Sequence, residues 1–155
     1  MIRSVPTGDT PAWLPAPRAE FLAWCQHLEQ ALPNPLCIWP TAQGSVSDVP
    51  SLRSFLTAAE QRGRPWTFLF DPVSMLTPAM LANADDHLVR LFESLSDHPA
   101  REATLLADAA AIGETVTPAP LGSGPLTSLV LRLATPRPAV IVLVEHHLPE
   151  QLALL

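Results

Sequence analysis

The sequence predicts an α/β (α+β) domain in which helices pack on a mixed sheet of about four to five strands. The clearest signal is a pair of apolar runs, residues 126–134 and 139–144, joined by the segment Thr-Pro-Arg-Pro. Prolines in such a link can turn the chain but cannot extend a ladder, so the pair predicts a C-terminal antiparallel hairpin. A second signal is a strand, a helix and a strand between residues 35 and 70, which predicts a βαβ unit with two parallel strands.

The two strands of the predicted hairpin differ in their patterns. The first alternates, with Leu129, Leu131 and Leu133 on one face, which is the period of a half-buried strand. Residues 140–144 are apolar at every position and rich in β-branched side chains. That pattern favours a strand covered on both faces, so we expect it at the centre of the sheet.

The chain begins with a proline-rich segment that predicts a leader at residues 1–16, followed by a single domain at residues 17–155. The leader has no apolar run, so the sequence predicts neither a secretory signal nor a membrane anchor there. Trp13 and Leu14 lie inside it, where no periodic apolar face would bury them. Because exposed aromatic side chains are frequent at interfaces, these two residues either fold back onto the domain or contact a partner protein.

Proline and glycine residues mark the ends of the first elements of the domain. A helix begins at Pro17, and residues 35–39 then form a short buried strand. After a polar loop, Asp48 or its neighbour can cap a second helix, which stops at Gly63. The strand at residues 66–70 completes the βαβ unit.

Two further helices are predicted before the hairpin. The first spans residues 77–96 and begins with a threonine and a proline, and the second spans residues 99–113 and stops at a glycine. Residues 114–125 are rich in proline and glycine and predict a loop. A last helix is predicted within residues 149–155.

The composition is that of a folded, acidic domain. The chain of 155 residues is 48% hydrophobic and 15% charged, which argues for one core and against disorder along most of its length. All nine basic residues are arginine and the net charge is −6, so the electrostatic attraction that drives binding to a phosphate backbone is absent overall. The sequence therefore predicts no nucleic-acid partner.

Two observations predict a cytoplasmic location. The sequence has no run of eighteen or more apolar residues, so no membrane insertion is expected. Cys25 and Cys37 lie in apolar surroundings, where two buried thiols in a reducing compartment are the simplest interpretation.

Asp48, Asp71 and Ser74 are the candidate site residues that the predicted βαβ unit brings to one edge of the sheet. Parallel α/β units place ligands at the carboxyl ends of their strands, where Asp48 and Asp71 could jointly hold Mg²⁺. In the alternative interpretation, Asp48 caps a helix and Asp71 begins a turn that contains a proline.

Other motifs that carry chemistry are missing from the sequence. Its glycines do not form a phosphate-binding turn before a helix, and its serines do not occupy the pattern of a nucleophile elbow. Glu145, His146 and His147 are adjacent, but neighbouring residues of a strand point to opposite faces and cannot easily chelate one ion. The sequence therefore predicts no catalytic group, no cofactor and no metal ion.

The favoured prediction is a non-catalytic regulatory or adaptor domain that acts by binding another protein, and self-association is compatible with it. The order of elements resembles that of small sensory modules of the GAF and PAS type, and this likeness is in element order only. It implies an alternative function as a small-molecule sensor, with a pocket between the sheet and residues 75–113. A second alternative is an Mg²⁺-dependent enzyme that uses Asp48 and Asp71.

Overall fold

The structure is a computed structural model that describes residues 1–3, 12, 14–63, 65–135 and 140–155. Within these residues the chain forms seven strands, five α-helices and one 3-10 helix. In chain order these elements are β1 (Ile2–Arg3), α1 (Pro15–Ala31), β2 (Cys37–Trp39), α2 (Val49–Glu60), β3 (Thr67–Phe70), the 3-10 helix (Pro78–Asn83), α3 (Ala84–Leu95), β4 (Arg101–Leu106), β5 (Asp108–Ile112), β6 (Thr115–Ala119), α4 (Thr127–Ala134), β7 (Ile141–Leu143) and α5 (Leu148–Leu152).

The strands of the main sheet all run parallel, in the order β1-β2-β3-β4-β7. The register pairs Ile38 with Phe68 and Thr104 with Ile141. Strands β5 and β6 form a two-stranded antiparallel hairpin. The predicted α/β class with helices packed on the sheet is therefore confirmed, as are the βαβ unit, made of β2, α2 and β3, and the presence of an antiparallel hairpin.

Local sequence determines both ends of α2. The Oδ1 atom of Asp48 accepts a hydrogen bond from the backbone N–H of Ser51 at 2.7 Å, and the Oγ atom of Ser51 accepts one from the backbone N–H of Asp48 at 3.1 Å. This reciprocal capping box satisfies two donors that the helix itself leaves unpaired. Gly63 lies just beyond the helix with a φ of 74°, which glycine adopts without strain.

The core lies between one face of the sheet and the helices. Ile38, Phe68 and Phe70 are fully buried there, and Phe70 meets Phe92 of α3 edge-on, with 5.0 Å between the ring centroids. Burial of a side chain of this size stabilises the fold by roughly 1.5–3 kcal/mol. The opposite face of the sheet carries a smaller cluster, whose buried members are Leu69, Ala103, Leu105 and Ala107.

The predicted position of the hairpin is wrong. The hairpin comprises β5 and β6, whereas residues 126–134, predicted as its first strand, form α4. Leu126, Leu129 and Val130 are buried by this helix. Their spacing of three and four residues fits a helix as well as the alternating leucines fit a strand, and a short apolar run does not distinguish the two.

Strand β7 lies at the edge of the sheet, so the central position predicted for it is also wrong. Among the described residues it pairs with β4 alone. Val140, Ile141 and Val142 expose 67%, 45% and 38% of their surface. Strands buried on both faces have continuous apolar runs, but a continuous apolar run does not guarantee burial, because on one side of β7 no described strand lies beside it.

The helix predicted for residues 99–113 is replaced by β4 and β5, and β6 occupies part of the predicted loop at residues 114–125. β4 lies between β3 and β7, where ladder hydrogen bonds on both sides and the burial of Leu105 and Leu106 outweigh the helix preference of its alanine and leucine residues. The likeness in element order to GAF and PAS modules depended on that helix and on the misplaced hairpin.

The other predicted helices are present with shifted starts. The helix at residues 77–96 begins as the 3-10 helix and continues as α3, and the last predicted helix corresponds to α5. None of the helices in the described part of the chain is long and apolar enough to cross a membrane.

Part of the predicted leader belongs to the regular structure. Ile2 and Arg3 pair with β2, and α1 begins at Pro15. Ala12 is 2% exposed, whereas Leu14 exposes 42% of its surface. Trp13 lies outside the described residues. The division into a leader and a single domain stays a prediction.

Candidate functional site

The carboxyl ends of β2 and β3, where the sequence predicted a ligand crevice, are closed by their own loops. Thr41 and Ser74 are both buried. The backbone N–H of Thr41 donates to the carbonyl oxygen of Val46 at 3.0 Å, and the N–H of Ala42 donates to the carbonyl oxygen of Ser74 at 2.8 Å. The first bond closes the loop after β2 on itself, and the second joins that loop to the loop after β3, so these backbone groups are paired within the protein.

Asp71 is fully buried and makes structural hydrogen bonds. Its Oδ2 atom accepts a hydrogen bond from the indole Nε1–H of Trp39 at 3.0 Å, and its Oδ1 atom accepts one from the backbone N–H of Ser74 at 3.1 Å. The second bond closes the proline-containing turn that the sequence predicted as the alternative interpretation. The first connects the end of β2 to the end of β3.

Asp48 has the other predicted role, as the cap of α2, and its side chain is bonded to Ser51. The hydroxyl Oγ of Ser74 is buried and makes no hydrogen bond within the described part of the chain. In the same part of the chain, no group of three or more His, Cys, Asp or Glu side chains is placed to hold a metal ion. The βαβ unit therefore brings Asp71 and Ser74 together, and each aspartate stabilises a turn or a helix end.

The topology explains why this edge of the sheet is closed. In open α/β sheets the ligand crevice forms where the strand order reverses, because the helices that follow the two neighbouring strands leave on opposite faces. Here the described strands of the main sheet follow one another in a single direction, β1-β2-β3-β4-β7. The described sheet has no such reversal, so the rule that points to Asp48 and Asp71 lacks its geometric basis.

The exposed apolar surface of the described residues is concentrated at the C-terminal end of the chain. Of twelve large hydrophobic residues that are exposed, seven lie within residues 140–155. We call them the C-terminal apolar surface. Its members are Val140, Ile141, Val142, Leu148, Leu152, Leu154 and Leu155.

The edge of β7 adds outward-facing backbone groups to this surface. The N–H of Thr104 donates to the carbonyl oxygen of Val140 at 2.8 Å, so that carbonyl points toward β4. Backbone groups alternate in direction along a strand, and in the register of β4 with β7 the N–H and C=O of Ile141 and Leu143 point away from the sheet. Within the described residues these outward groups have no strand beside them.

A buried glutamine attaches α5 to the end of β7. The Nε2 atom of Gln151 donates to the carbonyl oxygens of Val144 at 2.8 Å and His146 at 2.6 Å. Its Oε1 atom accepts a hydrogen bond from the backbone N–H of Leu121 at 3.0 Å. Because Gln151 is fully buried, these three bonds fix the exposed leucines of α5 relative to the strand.

The charged side chains of this region are acidic. Residues 140–155 contain Glu145 and Glu150 and no arginine or lysine. Both glutamates are exposed, as are His146 and His147. Residues 140–155 therefore carry two exposed negative side chains and no arginine or lysine.

A cavity of about 500 Å³ lies beside α5. Its lining includes Leu121, Leu154, His147 and Glu150. In the alternative interpretation of the sequence as a sensor, the pocket was expected elsewhere, between the sheet and residues 75–113. In that part of the structure Leu88, Phe92 and Leu95 of α3 are buried in the core.

Sequence reasoning missed the C-terminal apolar surface because it treated residues 140–144 as buried. It also missed Asp108, which is fully buried and caps the start of α4. The local sequence carries no signal for this role, because the hydrogen-bond partners Gly124, Leu126 and Thr127 lie 16, 18 and 19 positions further along the chain. Asp108 has no part in the surface itself, but it holds the segment that leads into α4.

No protein-family model, curated protein or solved structure matches this chain.

Proposed function

We propose that this chain is a non-catalytic regulatory or adaptor domain that binds another protein through the C-terminal apolar surface. The observation that carries the proposal is that, of the twelve large hydrophobic residues exposed in the described part of the chain, seven lie within residues 140–155. Exposed apolar residues that are concentrated in one segment favour a surface that binds proteins, whereas exposed hydrophobic residues scattered singly are ordinary.

The energetics support a protein partner. Covering apolar surface contributes roughly 25 cal/mol per Å², so several half-exposed aliphatic side chains can together stabilise a complex. The surface also rests on a rigid base, because Gln151 ties α5 to β7 and β7 is paired with β4. A rigid base lowers the entropy lost on binding.

The proposal includes a cytoplasmic location and no nucleic-acid partner. Cys25 and Cys37 are both free thiols, which supports a reducing compartment. The net charge of −6 opposes binding to a phosphate backbone.

Affinity purification from cells that naturally express the protein tests the proposal. We expect the wild-type chain to recover a stoichiometric partner, and the double variant Ile141→Ser/Leu152→Ser to recover at least about tenfold less, because two aliphatic contacts are lost. Ile112→Ser is the matched control, since Ile112 is 64% exposed but lies on the β5–β6 hairpin. Undiminished recovery by the double variant, or a wild-type chain recovered alone, would contradict the proposal.

The cavity beside α5 favours a small-molecule sensor as the second candidate function. Its volume of about 500 Å³ lies in the range of pockets that hold small ligands. A thermal-shift screen with metabolites separates the two candidates, because a ligand that binds only the folded chain raises its Tm. A metabolite that stabilises the wild type but not Leu154→Ser would favour the sensor.

A further inference from the structure

We infer that the partner contributes an extended, basic segment that adds to the main sheet as a new strand beside β7. This inference rests on the proposed function, since it names the partner's chemistry at the same surface. It follows from the backbone of β7, from the side chains of that strand and from the charge around it.

The backbone of β7 has hydrogen-bonding groups that could pair with another strand. The N–H and C=O groups of Ile141 and Leu143 point away from β4, and they alternate at the spacing that an incoming strand requires. Proteins usually protect such an edge with a very short strand, a charged residue, a proline or a bulge. β7 is only three residues long, but Ile141–Leu143 contains neither charge nor proline, and its register with β4 is regular.

The exposed aliphatic side chains of β7 favour apolar residues in the added strand. Ile141 and Leu143 share one face of the sheet and Val142 lies on the other, because side chains alternate along a strand. Ile141 and Val142 are exposed, so the edge offers aliphatic contacts on both faces. An added strand with β-branched or aliphatic residues would pair with them directly.

The exposed acidic residues near the end of the chain favour an added strand that is basic. Glu145 follows β7 and Glu150 lies on α5, both are exposed, and residues 140–155 contain no arginine or lysine. A second copy of this chain would carry the same net charge of −6 and would be repelled. A partner segment with lysine or arginine residues would instead be attracted to the two glutamates.

The test uses the full chain and three labelled synthetic peptides of equal length, measured by fluorescence anisotropy. The first alternates valine with lysine, the second alternates valine with glutamate, and the third is the valine–lysine peptide with a central proline. We expect the first to bind and the other two to bind at least about tenfold more weakly, because the second is repelled and the third lacks a main-chain donor.

Two substitutions at one position separate strand addition from simple apolar contact. Ile141→Pro removes an N–H that points away from β4, so it leaves the bonds between β4 and β7 intact and should abolish binding of the valine–lysine peptide. Ile141→Thr keeps that N–H and a β-branched side chain, so binding should persist at reduced strength. Far-UV circular dichroism checks that each variant is folded, and the proline-containing peptide tests the same bond if Ile141→Pro does not fold.

The charge requirement has its own variant. Glu145→Lys/Glu150→Lys should lower the affinity for the valine–lysine peptide by about fivefold or more, as expected for the loss of two partly screened ion pairs. The same variant should raise the affinity for the valine–glutamate peptide. Equal affinity for both peptides in the wild type would overturn the basic character of the partner.

The outcomes also separate this inference from the proposed function. Recovery of a stoichiometric partner that needs Ile141 and Leu152, together with no binding of any peptide, would overturn strand addition and leave the adaptor function standing. A wild-type dimer in sedimentation that Ile141→Pro dissociates would overturn the basic segment in favour of a second copy.

Discussion

Asp108 and Gly124 approach each other so closely that only glycine fits at the second position. The backbone N–H of Gly124 donates to Oδ2 of Asp108 at 2.9 Å, and a Cβ atom on residue 124 would lie 2.8 Å from Oδ1 of the same carboxylate. The contact spans 16 positions of sequence and holds the segment before α4 against the start of β5.

Gly124→Ala should therefore destabilise the fold by about 1–3 kcal/mol, because the buried carboxylate must shift to make room for the methyl group. Urea denaturation followed by tryptophan fluorescence measures the change. Ser128→Ala, at an exposed position of α4, is the control and should change the free energy of unfolding by less than about 0.5 kcal/mol. Equal stability of Gly124→Ala and the wild type would refute the close approach.

The two aspartate caps should differ in their contributions to stability. Asp108 accepts hydrogen bonds from the backbone N–H groups of Ala109, Gly124, Leu126 and Thr127 and from the Thr127 hydroxyl. Asp108→Ala leaves buried donors unpaired, so we expect a loss of about 3–5 kcal/mol. Asp48→Ala removes a cap at an exposed position and should cost about 1 kcal/mol.

Chemical denaturation of both variants provides the comparison, with m-values checked to confirm that each unfolds in one step. A larger loss for Asp48→Ala than for Asp108→Ala would contradict the different burial of the two carboxylates.

The cysteines should be nearly inert in the native protein. Burial raises the pKa of the Cys25 thiol to about 12, an increase that Arg62 opposes and Glu29 supports. Burial also raises the pKa of the half-buried Cys37 thiol. On thiolate fraction alone, Cys25 should react with iodoacetamide at about pH 8 roughly a thousandfold more slowly than a free cysteine.

Intact-mass spectrometry over a time course measures this reactivity, and Cys37→Ser isolates the signal of Cys25. Both thiols should become reactive at the same denaturant concentration that unfolds the chain. Rapid native labelling of the Cys37→Ser variant would show that Cys25 is more accessible than its burial indicates.

Stability should fall as the pH decreases through the titration of His98. Its Nδ1 atom accepts a hydrogen bond from the backbone N–H of Ala100 at 3.1 Å, which requires a neutral ring nitrogen. Burial lowers the pKa of His98, and the positive charge of Arg53 lowers it further. The unfolded chain therefore binds the proton more readily than the folded chain.

The resulting stabilisation is complete above the ordinary histidine pKa of 6.5 and is lost as the pH falls from there toward the lower folded-state pKa. His98→Asn keeps an acceptor for Ala100 but does not titrate, so its free energy of unfolding should depend less on pH between about pH 7 and pH 5. Thermal denaturation at a series of pH values compares the two chains. Identical pH dependence in both would exclude His98 as a source of the slope.

The first half of the fold was predictable because its sequence carries unambiguous boundaries. Asp48 and Gly63 mark the two ends of α2, and the strands on either side are short apolar runs. In the second half, residues 126–134 satisfy the period of a strand and that of a helix at once. Tertiary contacts with the core settle the choice in favour of a helix.

The candidate surface was harder to predict than the fold, because exposure depends on neighbours that are distant in sequence. Residues 140–144 have the composition of a buried strand, and only the position of β7 beside β4, with no described strand beyond it, exposes them. Asp48 and Asp71 were correctly identified as residues at the ends of elements. The choice between a metal site and structural roles required the hydrogen bonds of Asp71 and the strand order.

The side chain of Gln151 bonds to the backbone at three places, which are the turn at Leu121, the end of β7 at Val144 and the bend at His146. Loss of the Gln151 side-chain amide would remove all three bonds together. Fluctuations in this part of the molecule should therefore occur as one cooperative opening, in which their protected amide protons exchange with solvent at a common rate.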